Sequence, residues 1–174
     1  SVYSDGARNL DELRAAPGVE MRFGVDATKL GRAAADLQGD LDCVTWMFPY
    51  SNARRPRDSV LLIRKFLAAA APLLAPRRGG EVLLAMNGKQ HEQFQLAEAC
   101  AQAGLPRPQL AGNIEGSLPY RVSQSNRGDS DLVGRPVSAT LWRIGGGNGG
   151  GGGRGCGGSC GCEDVAALLL EACG

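Results

Sequence analysis

The chain has 174 residues, the size of one domain. Hydrophobic residues make up 43% and charged residues 21%, and 19 basic against 18 acidic side chains leave a formal net charge of +1. That balance argues against a strongly basic nucleic-acid module and against an acidic disordered segment. No stretch of about 18 uncharged apolar residues is present to span a membrane.

Val2 and Tyr3 read as the stub of a strand. Residues 7–16 form an expected helix, with Leu10 and Leu13 at helical spacing and Pro17-Gly18 as its stop. Residues 19–23 read as a short strand closing on Gly24-Val25-Asp26-Ala27-Thr28. Residues 41–48 make the strongest strand, nearly all apolar, as expected for a strand buried on both faces of a parallel sheet. Pro49 ends it, and residues 51–57 form a basic loop. Asp58-Ser59 supplies an N-cap for a helix over 60–74, where Leu61, Leu62, Phe66, Leu67 and Ala70 give a wide apolar stripe and Pro72 tightens the last turn.

Gly79-Gly80 then turns the chain into an apolar strand over 81–86. Residues 90–103 are amphipathic, with Phe94, Ala97, Cys100 and Ala101 on one side and Gly104 as the stop. Weaker strands follow at 109–114 and 137–144. This alternation predicts an α/β domain over residues 1–144, with a parallel or mostly parallel sheet and helices on both faces. Twelve of the 26 glycines fall within 145–161, so residues 145–162 read as a low-complexity Gly/Cys linker and 163–174 as a short C-terminal helix.

Several motifs have plain readings. Gly145-x-Gly147-x-x-Gly150 matches a dinucleotide fingerprint in form, but no helix start follows it, and a glycine tract matches any glycine motif. Arg127-Gly128-Asp129 reads as a surface turn. Cys156, Cys160 and Cys162 offer three thiolates, a fourth ligand would have to be Cys173 or solvent, and no metal is expected. Cys43 and Cys100 read as buried reduced thiols. The first residues carry no basic-then-apolar leader pattern, which sets the expectation of an intracellular protein.

The residues that point to chemistry lie at strand ends. In an open parallel sheet, ligands sit beyond the carboxyl ends of the strands. Asp5 follows the first stub, Asp26 the second strand, and Phe48-Pro49-Tyr50 the third. A carboxylate at the first place accepts from ribose hydroxyls, one at the second meets an adenine amino group, and an aromatic at the third covers a flat base. Together they point to a nucleoside-type ligand. His91, the sole histidine, reads as a solvated residue at a helix start, though its pKa class suits proton transfer if it faces a cleft. Arg54, Arg55 and Arg57, with Arg64, Lys65, Arg77 and Arg78 nearby, form either a solvated face or a phosphate-contacting patch.

The segment Leu73-Leu74-Ala75-Pro76-Arg77-Arg78-Gly79-Gly80-Glu81-Val82-Leu83-Leu84 resembles the helix-to-strand turn of class I S-adenosylmethionine-dependent methyltransferases. Four blocks in order resemble the 25S rRNA (uridine-N3)-methyltransferase-like domain of eukaryotes. They are Tyr3-Ser4-Asp5, Gly24-Val25-Asp26-Ala27-Thr28-Lys29-Leu30, Leu41-Asp42-Cys43-Val44 with Phe48-Pro49-Tyr50, and Gly79-Gly80-Glu81-Val82 running to Asn87-Gly88-Lys89-Gln90. The resemblance covers residues 2–110, and 118–144 loosely. The family's first strand and Gly-containing cofactor loop would lie before Ser1. Tyr50 stands where the family often has His, and Met86 where it often has Lys.

What this resemblance implies is a Rossmann-like sheet, S-adenosyl-L-methionine as cofactor, and methyl transfer to N3 of a uridine in large-subunit ribosomal RNA during ribosome biogenesis. It implies Asp5, Asp26, Ala27, Phe48 and Pro49 around the cofactor, Phe48 and Tyr50 stacking on an extruded base, and Tyr50 and His91 as candidates for proton transfer. Arg54, Arg55 and Arg57 would contact the ribosomal RNA, in the cytoplasm or nucleolus. Two other readings stay open. One is a non-catalytic α/β remnant that binds RNA or protein; the other is a methyltransferase with a different acceptor.

Overall fold

A computed structural model describes residues 6–51, 55–114 and 139–145. The strand β2 (Glu81–Met86) runs through its centre: 82–86 are all fully buried, as the unbroken apolar run requires. β1 (Cys43–Met47) lies parallel to it, with Cys43 opposite Glu81 and Met47 opposite Ala85. β3 (Gln109–Asn113) and β4 (Thr140–Gly145) complete a four-stranded sheet of order β1-β2-β4-β3, in which β4 runs antiparallel to both neighbours. The class is α/β and consistent with a Rossmann-like methyltransferase fold. The sheet is mixed, where a mostly parallel one was expected.

Two strand expectations change. Residues 41–48 were expected to be buried on both faces, yet β1 pairs only with β2 among the described strands and is half-buried, with Thr45 exposed. Apolar composition allows burial, but a second neighbour is what completes it. Residues 19–23 form no strand. Val19 is 45% and Phe23 65% exposed, and Arg22 instead ties this segment to Glu20, Asp36 and the Ala33 carbonyl. Val2 and Tyr3 lie outside the described residues, as do residues 146–174 with their cysteines.

The helices have shifted boundaries and follow the apolar periodicity only in part: of the residues expected on their apolar faces, Leu13 is 47% and Leu61 50% exposed, and Ala97 and Ala101 are exposed. α1 (Gly6–Ala15) ends at Pro17-Gly18, where Gly18 takes a φ of 75°. A 3-10 turn (Ala27–Lys29) leads into the short α2 (Leu30–Ala33). α3 (Pro56–Ala70) begins before Asp58-Ser59, because Pro56 occupies the first turn, where a missing N–H costs nothing. Its buried side is Ser59, Ile63, Phe66, Leu67 and Ala70, and Pro72 closes the helix in a 3-10 turn.

The helix expected over 90–103 is broken in two, α4 (Gln90–Gln93) and α5 (Leu96–Gln102). Phe94 and Leu96 are 3% and 2% exposed. Two residues apart on a continuous helix they would point in nearly opposite directions, at about 100° per residue. A left-handed Gln95 (φ 53°) between them lets both reach the core, and the Arg64 guanidinium holds its side chain at 2.7 Å. α5 then ends as expected at Gly104: its N–H donates to the Ala101 carbonyl and that of Leu105 to the Cys100 carbonyl, the paired bonds of a Schellman stop.

One face of the sheet carries α3, α4 and α5, whose Ile63, Phe66, Leu67, Phe94, Leu96 and Cys100 pack on Val82, Leu84, Met86 and Ile144. Trp46 meets Phe66 edge-on at 4.5 Å on this face. The other face gathers Leu83, Ala85, Ile114, Ala139 and Leu141, with Cys43, Met47 and Phe48 at its margin; no described helical residue joins it. Cys100 is buried as expected, whereas Cys43 is only half-buried.

The turn before β2 is tightly bonded to the start of β1. The Ala75 N–H donates to Leu41 O at 2.7 Å, Gly80 N–H to Ala75 O at 2.8 Å, and Glu81 N–H to Asp42 O at 2.9 Å. Arg78 crosses the turn to Asp40 and Asp42. A side chain at Gly80 would meet Ala75 N at 2.7 Å and Leu41 O at 2.8 Å, so only glycine fits. No described helix is long and apolar enough to cross a membrane.

Candidate functional site

The carboxyl end of β1 is where the backbone departs from ordinary geometry. Phe48 follows the strand with φ of 55°, a left-handed conformation that costs a bulky L-residue about 1–2 kcal/mol. The Phe48 N–H still donates to Ala85 O at 2.9 Å, so the chain is registered on β2 and then turned sharply. Pro49 is buried and fixes the turn, leaving Tyr50 46% exposed with its ring 6.5 Å from Phe94. The next residue is anchored as well: the Ser51 N–H donates to Ser59 Oγ at 3.4 Å, and Ser59 is 3% exposed within α3. Strain of this kind, over-determined by its surroundings, gathers at functional sites.

Beside β2, the turn after Met86 is closed by a reciprocal pair. Gln90 N–H donates to the Asn87 carbonyl at 3.0 Å, and the Gln90 side-chain oxygen accepts from Asn87 N–H at 2.9 Å. Between them Gly88 takes φ of 47° and Lys89 stays exposed.

Asp26 follows an irregular segment rather than a strand end. Its Oδ1 accepts from Thr28 N at 2.9 Å and Thr28 Oγ1 at 2.7 Å, capping the 3-10 turn, and its Oδ2 lies 3.1 Å from Lys29 Nζ. The Thr28 hydroxyl, the Thr28 amide and Lys29, in that order, hold the carboxyl down at about 2, so it is ionised at neutral pH. Ala27 and Leu30 pack into the helical core. The block Gly24-Val25-Asp26-Ala27-Thr28-Lys29-Leu30 is therefore one folded unit, with a left-handed Gly24 at its entry. Sequence reasoning singled out Asp26 and missed Thr28 and Lys29, although Asp two residues before Thr is a capping signal.

Asp5 and Arg54 lie outside the described residues, so the expected meeting of Asp5, Asp26 and Tyr50 is described only for its last two members. No hydrogen bond joins Asp26 to Tyr50. Arg55 and Arg57 are exposed; Arg57 lies in α3 rather than in a loop, whereas Arg55 is the extended N-cap residue just before the helix, makes no side-chain cap, and stands with Arg57 at the positive end of the helix dipole.

His91 is turned elsewhere. It stacks on Trp142 with ring centroids 4.3 Å apart, its Nε2 lies 3.7 Å from Glu92, and its buried Nδ1 has no hydrogen-bond partner among the described residues. Trp142 Nε1 donates to Thr140 Oγ1, which donates in turn to Met86 O. These rings line a groove of about 420 Å³ with Glu92, Gln95, Glu98 and Arg107 among its walls, and neither Tyr50, Phe48 nor Asp26 borders it. Among the described residues, no three His, Cys, Asp or Glu side chains gather as a metal centre needs.

A family model, BMT5-like, described as "rRNA (uridine-N3-)-methyltransferase BTM5-like", matches residues 1–110. No curated protein matches the chain.

Proposed function

The chain belongs to the BMT5-like family of rRNA (uridine-N3-)-methyltransferases, and from that premise we propose that it methylates N3 of a uridine in large-subunit ribosomal RNA, with S-adenosyl-L-methionine as donor. The family match over residues 1–110 is the observation that carries this reading. The strained Phe48 turn at the end of β1 supports it as the place where a base is received.

Asp26 supports the donor reading. Asp26 is ionised and 47% exposed, and its contacts with Thr28 and Lys29 occupy three of about four acceptor positions on a carboxylate. One position remains for an amino or hydroxyl donor of the adenosyl group. In this reading Asp26 and Ala27 hold that group with Phe48 and Pro49, and Asp5 takes the ribose. When bound, the cofactor supplies an already activated methyl group, so the protein's work is alignment and exclusion of water.

Base pairing hides uracil N3, so the target base must be unpaired or extruded and stacked. Tyr50, half-exposed behind a buried Pro49, offers its ring to that base and its hydroxyl as a relay, accepting the N3 proton while passing its own to water. We assign the proton-relaying role to Tyr50 rather than His91, because His91 faces the Trp142 groove. Such an acceptor would work where large-subunit RNA is made or assembled, in the nucleolus or cytoplasm.

The test uses the full chain, isotopically labelled methyl donor and a transcript of large-subunit ribosomal RNA, with digested nucleosides read by mass spectrometry. Label in N3-methyluridine is expected, with Tyr50→Phe slowed by about 10²-fold or more. No label at saturating donor, or label only at another position, defeats the reading.

A further inference from the structure

Several of the cations in this fold are neutralised where they stand. Arg22 is paired with Glu20 and Asp36, Arg78 with Asp40 and Asp42, Lys29 with Asp26, and Arg143 with Glu81. Arg55, Arg57 and Lys65 make no ion pair among the described residues, and all three are exposed. Their placement is ordered. Arg57, Leu61 and Lys65 recur at every fourth residue of α3, on the side opposite the buried Ser59, Ile63, Phe66 and Leu67. Leu61 is 50% exposed between the two charges. At 1.5 Å per residue the stripe is about 12 Å long. Asp58 is the one acid anywhere in 55–70, and it is half-buried in the first turn.

We propose that this exposed face of α3, carried by Arg57 and Lys65 and continued at its start by Arg55, is the track on which the sugar-phosphate backbone beside the target nucleotide lies. A row of unneutralised cations whose one neighbouring carboxylate, Asp58, is half-buried is complementary to a polyanion, and its spacing engages successive phosphates rather than a single anion. Leu61 adds apolar area for a sugar face without a competing charge. That the polyanion is RNA rests on the methyltransferase reading. Tyr50, assigned to the extruded base, is followed five residues later by Arg55, so a strand delivering its base there brings its flanking phosphates to α3. The track extends the basic cluster seen in the sequence beyond the 54–57 segment, and it leaves out Arg78, whose charge is already taken.

The experiment titrates the full chain into a fluorescein-labelled RNA hairpin bearing an unpaired uridine, following anisotropy from about 50 to about 200 mM salt. Arg57→Gln and Lys65→Gln should each weaken binding and reduce the slope of log affinity against log salt by about 0.7–0.9. Both side chains are exposed, so melting curves stay at the unmodified position. Arg32→Gln, an equally exposed cation on α2, should leave the slope unchanged. An unaltered slope in both α3 variants overturns the track. So does tighter binding to phosphatidylcholine–phosphatidylserine vesicles than to RNA, lost in Leu61→Ser, which would make the face a membrane contact. The chemistry fails separately: RNA binding that depends on α3 without formation of N3-methyluridine keeps the track and removes the methyltransferase reading, and the opposite pattern does the reverse.

Discussion

Replacing Gly80 with alanine isolates the tight join between β1 and β2. The added methyl would lie 2.7 Å from Ala75 N, 2.8 Å from Leu41 O and 3.0 Å from Leu74 Cβ. The first two are backbone atoms, so no side chain can swing away. Relief requires moving Ala75 or Leu41, and those two are bonded to each other at 2.7 Å, with Ala75 also accepting from Gly80. Overpacking of this kind costs about 1–3 kcal/mol and one weakened hydrogen bond about 1 kcal/mol more. Lower entropy of the unfolded alanine chain returns about 0.4–1 kcal/mol. The net loss is about 1–3.5 kcal/mol, or about 2–14 °C in Tm for a chain of this length. Thermal unfolding followed by tryptophan fluorescence suits the test, since Trp46 and Trp142 both lie in the sheet. Gly31→Ala is the control: a side chain there meets nothing within 4 Å, and in helix α2 it should be neutral or stabilising by up to about 1 kcal/mol. If Gly80→Ala melts within about 1 °C of the unmodified protein, the steric reasoning is wrong.

Phe48→Gly and Phe48→Ala both remove the ring, but only alanine keeps a side chain at a positive φ, so denaturant midpoints should show the glycine variant more stable by about 1 kcal/mol; equal midpoints would remove the strain argument. The Asp26 carboxyl sits below its unfolded value, so its contribution is present above about pH 4 and lost as pH falls through about 2. Amide chemical shifts of Thr28 should report that step, and Asp26→Ala should abolish it. Burial pushes the Cys100 thiol up to about 12. Between the unfolded value near pH 9 and that value, stability should fall as pH rises. At neutral pH an alkylating reagent should reach Cys100 only in urea, as peptide mass spectrometry would show.

The residues of the candidate site stand out in the sequence. The strand-ending Phe48-Pro49-Tyr50 and the block around Asp26 stand out by composition, and the family match covers both. What composition did not disclose was how each is held. Asp26 works through Thr28 and Lys29, and the turn at Phe48 depends on a hydrogen bond to Ala85, far along the chain. His91 shows the same limit. A lone histidine at a helix start has no sequence signal for its ring partner, and Trp142 comes from the opposite end of the domain.

Local sequence determined the elements whose causes are local: the buried run of β2 and the glycine stop at Gly104, each specified by composition or by one residue's conformational freedom. Tertiary structure alone decided which strand lies beside which, why β1 is half-buried despite its apolar residues, and why the helix after β2 breaks at Gln95. Those outcomes depend on atoms brought together from distant positions: a strand's burial is completed by its neighbours, and a helix breaks where two nearby side chains must both enter one core.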